Sequence, residues 1–272
     1  MPLSPGGLRG WVERVGAALG ATGPARALGG SAWRLTAGGV PVVAKVAPGA
    51  ADEAAGLRVL AAVAGAPAVP EVLLCDGDLL VTSWVDQAPA TAAHHERLGA
   101  GLAALHSANA GAWGGGSGWI GRCRVDPRPD ADGPRFYGRR LVDLAARCGL
   151  RAEVEPVAAR LGYLAPWPAP APLHGDLWWG NVLWGADGGP WLVDPSQHGG
   201  HPEEDLAMLA LFGDVPVRAL AAYREVRPLD GDWERRVGLW QLYPLLVHAV
   251  LFGGAYRSRA AAVARHYGGP RS

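Results

Sequence analysis

"LHGDLWWGNVLW", Leu173 to Trp184, sets an imidazole, a carboxylate and a carboxamide in one of the most apolar neighbourhoods of the chain. Asp176 and Asn181 stand among Trp178, Trp179, Trp184, Leu177 and Val182, with His174 just upstream. Polar groups in such surroundings are costly unless they are paired, hydrogen-bonded or bound to a metal. The two oxygen-bearing side chains have the spacing Asp-x4-Asn. A further carboxylate, Asp194, ends the stretch "NVLWGADGGPWLVD", which reads as two short strands joined by a Gly/Asp turn.

Upstream lies a cation that matches them. The chain has 25 basic residues, and Lys45 is its only lysine. A sequence that uses arginine elsewhere keeps a compact ammonium at one point. Lys45 falls near the end of a strand predicted over Val40–Val46, on the same face as Val43 and opposite Val42, Ala44 and Val46. Before it, a Gly-rich turn with Gly29, Gly30 and Ser31 leads into a strand over Ser31–Thr36. After it, "ADEAAGLRVLAAVAG" predicts a helix with Leu57, Leu60 and Val63 as its apolar stripe and Glu53 in its first turn.

These parts carry one chemistry when taken in chain order. Phosphoryl transfer needs the donor's charge neutralised and the acceptor oxygen aimed. Asn181 and Asp194 supply hard oxygen ligands for Mg²⁺. Asp176 can take the proton of an acceptor hydroxyl. Lys45 suits phosphate oxygens, Glu53 can hold its ammonium, and Gly29 and Gly30 let backbone N–H groups approach phosphate. The order and the Asp-x4-Asn spacing are those of the protein-kinase type. The bland readings are a surface lysine, a helix N-terminal glutamate and three turn residues. The ordered combination of five outweighs them.

Composition bounds the alternatives. The 272 residues are 49% hydrophobic and 18% charged, with a formal net charge of zero. No basic field is present to recruit nucleic acid or an anionic membrane. "MPLSPGGLRGWVERVGAALG" carries Glu13 and Arg14 inside its apolar region, unlike a secretory signal. "YPLLVHAVLFGGAY" is too short to span a bilayer and reads as a buried helix. A cytoplasmic protein, monomeric or weakly dimeric, is the expectation. Cys75, Cys123 and Cys148 read as free, packed thiols.

The pattern along the chain predicts an α+β, kinase-like two-lobe fold. Residues 1–86 form a β-rich N-lobe, with a helix over 7–20 and two strands around the Asp76–Asp78 turn. Residues 87–272 form a mainly helical C-lobe, with helices near 91–108, 135–148, 152–161, 203–212, 215–226 and 232–266. A cleft between two such lobes is a natural ligand site.

"LHGDLWWGNVLW", "WLVDPSQHGGHPEEDLAMLALFG", "EAAGLRVLA", "GLAALHSANAGAWGGGSGWIG" and "RFYGRRL" together resemble the fructosamine-3-kinase (ketosamine-3-kinase) family, close to the aminoglycoside phosphotransferases. The resemblance runs over nearly the whole chain, and Trp178 after "HGDL" is its discriminating residue. It implies use of ATP and Mg²⁺ to phosphorylate the sugar 3-hydroxyl of a ketosamine, free or on a glycated protein lysine. It implies nucleotide contacts from Gly29, Gly30, Ser31, Lys45, Glu53, Ser83, Trp84 and Val85. Asp176 would be the base, with Asn181 and Asp194 holding metal and Trp178 and Glu203 on the acceptor. His174 and Asp205 would support the loop, His174 as a neutral imidazole bridging backbone groups. Three departures stand out: Trp179 where a small Ser is usual, Ser31 where some relatives carry Cys, and no Q-x-N in "RCRVDPRPDADGP". An amino-sugar kinase is the nearest alternative, for which Glu203, Glu204 and Asp205 hint at an acidic acceptor patch. A silent nucleotide-binding module would have lost one of Lys45, Asp176, Asn181 or Asp194, and none is lost.

Overall fold

Alternation builds the first lobe. In the computed structural model, which describes residues 5–269, helix α1 (Pro5–Leu19) precedes strands β1 (Arg26–Gly29), β2 (Ala32–Ala37) and β3 (Val40–Val46). Helix α2 (Ala50–Ala61) then leads to β4 (Val72–Asp76) and β5 (Leu79–Ser83). The five strands form one antiparallel sheet in the order β1-β2-β3-β5-β4. Trp33, Leu35, Val42, Ala44, Leu79 and Val81 bury one face against Trp11 and Val15 of α1. The opposite face carries Val43 and Lys45, because successive strand residues point to opposite sides. Lys45 lies across from Leu80 on β5 and Ala32 on β2, at the centre of the sheet.

The remainder is mainly helical. It runs α3 (Ala92–Ser107), β6 (Trp119–Ile120), β7 (Cys123–Arg124), α4 (Gly133–Arg147), α5 (Arg151–Ala158), α6 (Leu161–Leu164), β8 (Ala171–Leu173), β9 (Val182–Trp184), β10 (Pro190–Leu192), β11 (His198–Gly200), α7 (Glu203–Leu209), α8 (Val217–Val226), α9 (Trp233–Phe252) and α10 (Gly254–Gly268). Phe136, Tyr137 and Leu141 of α4 pack with Trp240, Leu242 and Leu246 of α9 in its largest core. A second core lies directly under the Asp176 loop. There Leu98, Leu102 and Leu105 of α3 meet Leu177, Val182, Leu192 and Leu206. The catalytic-type loop therefore rests on a packed, apolar floor.

Several expectations need adjustment. The helix read over 232–266 is two helices, broken at Gly253 and Gly254, both with positive φ. Strands β1, β6, β7, β8 and β11 were not expected, and β8 pairs with β11 across 25 residues of chain, His198 opposite Leu173. The segment 122–134, without a Q-x-N, forms an ion cluster instead: Arg139 reaches Asp126 at 2.7 Å and Asp130 at 2.9 Å. The three cysteines are free. Among the described residues no helix is long and apolar enough to cross a membrane.

Candidate active site

The sheet and the loop region meet around Lys45. Its Nζ lies 2.6 Å from Glu53 Oε2 on α2 and 3.1 Å from Asp194 Oδ1, just after β10. Asp194 has φ of 56°, the only positive φ among described non-glycine residues. That backbone costs about 1–2 kcal/mol, least for a short polar side chain. Here it coincides with a carboxylate turned onto the lysine from the opposite lobe.

A cleft of about 400 Å³ opens beside this pair. Gly29, Lys45, Glu53, Ser83, Trp84, Val85, Val193 and Asp194 line it, with Val43, Leu57, Leu80 and Leu183 supplying apolar walls. Its size and mixed lining suit a nucleotide-sized ligand. Gly30 and Ser31 do not line it. They form the tip of the β1–β2 turn, where Ser31 accepts a backbone bond from Val46 at 3.2 Å. At the other end of the cleft, the Trp84 indole donates to Asp86 at 2.9 Å and lies under the Arg34 guanidinium at 4.3 Å.

Asp176 and Asn181 share the loop beyond. Asn181 donates its amide to the Asp176 carbonyl at 2.8 Å, so its amide nitrogen is tied to the loop and its oxygen points away from that bond. Burial pushes the Asp176 carboxyl up to about 7, and the charge of nearby Asp194 adds to the effect. Burial acts to lower Lys45 and to raise Glu53. Glu53 and Asp194 nevertheless hold Lys45 above its ordinary value. Two carboxylates pair with the one ammonium, and Asp176 adds a third acid within electrostatic range.

Behind the loop Asp205 and His174 are well partnered. Asp205, 1% exposed at the start of α7, accepts the backbone N–H groups of His174 at 2.8 Å and Gly175 at 2.9 Å. Gly175 has φ of 79°, and a Cβ there would come within 2.1 Å of the Ser196 carbonyl. His174 bonds the Val193 carbonyl through Nε2 at 2.9 Å and accepts the Asp176 N–H on Nδ1 at 3.3 Å. Burial holds its imidazole below the ordinary value. It thus bridges the Asp176 loop and Val193, the residue before Asp194. Sequence reading missed the outer members of this chain, His106 and Tyr223. His106 bonds Asp205 at 3.2 Å and Tyr223 at 3.0 Å. The "LH" of "LAALHS" was the available signal.

Glu203 requires correction. It is not an acceptor-facing carboxylate. It is 5% exposed and held by Arg236, at 2.9 Å and 2.5 Å, and by the Trp240 indole at 2.7 Å. Glu204 is likewise buried, accepting the His201 N–H at 2.7 Å. With Asp205 turned onto the loop, no acidic acceptor patch exists in this segment. Trp178 does face outward, 41% exposed, with its ring edge against Phe212 at 6.2 Å. Trp179 points elsewhere, packing beside Trp184 over the second core. The Ser-to-Trp departure therefore lies on the core side of the loop.

The family model for fructosamine kinase matches residues 43–267. The chain belongs to the fructosamine kinase family. It is accordingly a phosphotransferase with an alcohol group as acceptor, and the kinase activity of the family implies use of ATP. A Thermus thermophilus protein named a probable ketoamine kinase is 36% identical over 256 residues, covering 88% of this chain and 92% of its own. A Thermobifida fusca structure described as a fructosamine-3-kinase is 38% identical, with a TM-score of 0.83, covering 94% of this chain and 97% of its own. The choline kinase LicA from Streptococcus pneumoniae shares the fold at 14% identity, with a TM-score of 0.65 over 96% of this chain and 98% of its own.

Proposed function

We propose that the protein transfers the γ-phosphoryl group of ATP to the sugar 3-hydroxyl of a ketosamine, a fructosamine or ribulosamine borne on an amine or a protein lysine. The phosphorylated adduct then decomposes, so the reaction serves deglycation. One observation carries the nucleotide half of this reading: a single ammonium, Lys45, joins carboxylates from both lobes at the wall of a cleft of about 400 Å³. Lys45 meets phosphate oxygens, Glu53 keeps it extended, and Ser83 to Val85 border the base. The lobe boundary falls at about residue 86, where β5 gives way to the segment before α3.

The site suits Mg²⁺ on charge grounds. Burial raises Asp176 first and the charge of Asp194 adds to it, a like-charge repulsion of the kind a hard divalent cation relieves. Asp194 and the Asn181 oxygen would hold the ion together with nucleotide phosphates. Bound there, it would offset charge on the transferring group. Asp176 accepts the proton of the attacking hydroxyl, and burial brings its affinity for that proton close to the working pH. Trp178 gives the sugar-amine an exposed indole face, which favours a cation as well as C–H contacts.

The test is direct. The protein is mixed with ATP and fructosyl-lysine, ribulosyl-lysine or kanamycin, ADP release is followed, and the new phosphate is located by phosphorus–proton NMR. Phosphate on O3 of a ketosamine is expected. Turnover on kanamycin with none on either ketosamine overturns the reading.

A further inference from the structure

Helix α2 presents two working faces. Glu53 and Leu57 line the cleft. Gly49, before the helix, Asp52 and Gly56 lie along another stripe, the i, i+3, i+7 spacing of one helical side. That stripe is pressed onto the opposite lobe. Asp52 Oδ2 accepts the Gly118 N–H at 2.9 Å, 66 residues away in sequence. A Cβ on Gly49 would stand 3.1 Å from the Trp119 side chain, and one on Gly56 would stand 2.8 Å from Gln197 Cβ.

The loop that receives Asp52 is itself bound to the segment following Asp194. Gly114 and Gly199 exchange backbone bonds of 2.7 and 3.0 Å, and the Ser117 N–H donates to Gln197 at 2.7 Å. The Ser196 hydroxyl donates to the Trp119 carbonyl at 2.8 Å. A Cβ on Gly116 would come within 1.8 Å of the Gln197 carbonyl, so only glycine permits this approach. Residues 114–119 thus hold the helix of Glu53 with one edge and the segment that follows Asp194 with the other.

We propose that this loop is a clamp and that Asp52 is a positioning residue for the nucleotide site. It fixes the spacing between Glu53 and Asp194, the two carboxylates that Lys45 must reach together. The clamp is built from the chain's own loop, so the lysine pair is held assembled without an activating partner. The inference rests on the cleft being the nucleotide site, but not on the identity of the acceptor.

The competing role for Asp52 is a first-turn carboxylate that favours the α2 dipole. Asp52→Asn separates the two, because it keeps an oxygen for Gly118 and loses the charge. ATP affinity is measured by calorimetry with a non-hydrolysable analogue, alongside KM for ATP, KM for the acceptor and the thermal midpoint. Asp52→Ala should weaken ATP about tenfold, the scale of one lost charge-assisted hydrogen bond, while moving the acceptor KM less than about twofold. Asp52→Asn should recover most of that loss, and Gly116→Ala should repeat the Asp52→Ala pattern. Equal damage from Asn and Ala, or a lowered thermal midpoint with unchanged ATP affinity, overturns the clamp. If no ketosamine is turned over, the calorimetry still decides this inference, whereas absence of ATP binding in the unmodified protein refutes the cleft reading itself.

Discussion

Two buried acids, Asp176 and Asp205, serve the same loop and behave in opposite ways. Glu53 and Asp194 pair with Lys45 at the cleft, and Asp176 lies in the loop beyond, its carboxyl raised to about 7 by burial first and by the charge of Asp194 second. Asp205 is more deeply buried, yet its carboxyl sits below its ordinary value. Burial pushes it up, but the His106 hydrogen bond, followed by neighbouring imidazoles and the Gly175 N–H, more than offsets that. Depth alone does not decide how an acid behaves. What decides is whether the fold supplies enough donors. The satisfied acid fixes the loop, and the under-satisfied acids keep interactions in reserve for a ligand.

The largest expected effect follows from that difference. Asp176→Asn should lower turnover by about 10³ or more, within the span that general base catalysis contributes, while ATP-analogue affinity changes only a fewfold. Unchanged turnover in a coupled ADP assay would remove Asp176 as the base. Its effect on stability should be small or favourable, because a buried charge near Asp194 is removed. Next comes Lys45→Arg, with an expected loss of about 10- to 100-fold in kcat/KM for ATP, since a planar fork cannot replace a point charge between Glu53 and Asp194. A variant of nearly full activity would show that any cation suffices.

The same comparison explains what the sequence disclosed. Strand β3 was legible to its ends, and Lys45 on its cleft face followed from the period of two. Asp176, Asn181 and Asp194 were legible because their spacing is local and their surroundings apolar. Glu203 was misread because its fate depends on Arg236 and Trp240, more than 30 residues away, which a run of acids at a helix start does not reveal. Strands β8 and β11 escaped for a related reason. Each has three residues, and Pro172, Gly199 and Gly200 read locally as turn. The clamp at 114–119 is not announced by its Gly/Ser composition, since its partners lie on distant segments.

Asp205→Asn probes the satisfied side. An amide in place of the carboxylate turns a donor toward one of the two loop N–H groups, which then lies buried without an acceptor. The expected cost is about 2–3 kcal/mol of unfolding free energy, read from urea midpoints. Asp176→Asn measured beside it should show no such loss. Equal destabilisation by the two variants would erase the distinction between reserve and support.

Trp178→Ala is the gentlest test and bears on the acceptor. Its indole is 41% exposed and leans on Phe212 alone among the aromatic rings, so removing it should cost less than about 1 kcal/mol of stability. If the ring carries the sugar-amine, kcat/KM for a ketosamine should fall about twofold to fivefold, the worth of one exposed cation–π contact, and KM for ATP should hold. Trp178→Phe keeps a flat aromatic face and should recover part of the loss. The Trp179→Ser variant completes the contrast: its ring packs against the second core, so stability should fall while acceptor specificity stays. A change of acceptor preference in Trp179→Ser, with none in Trp178→Ala, would move the substrate to the other side of the loop.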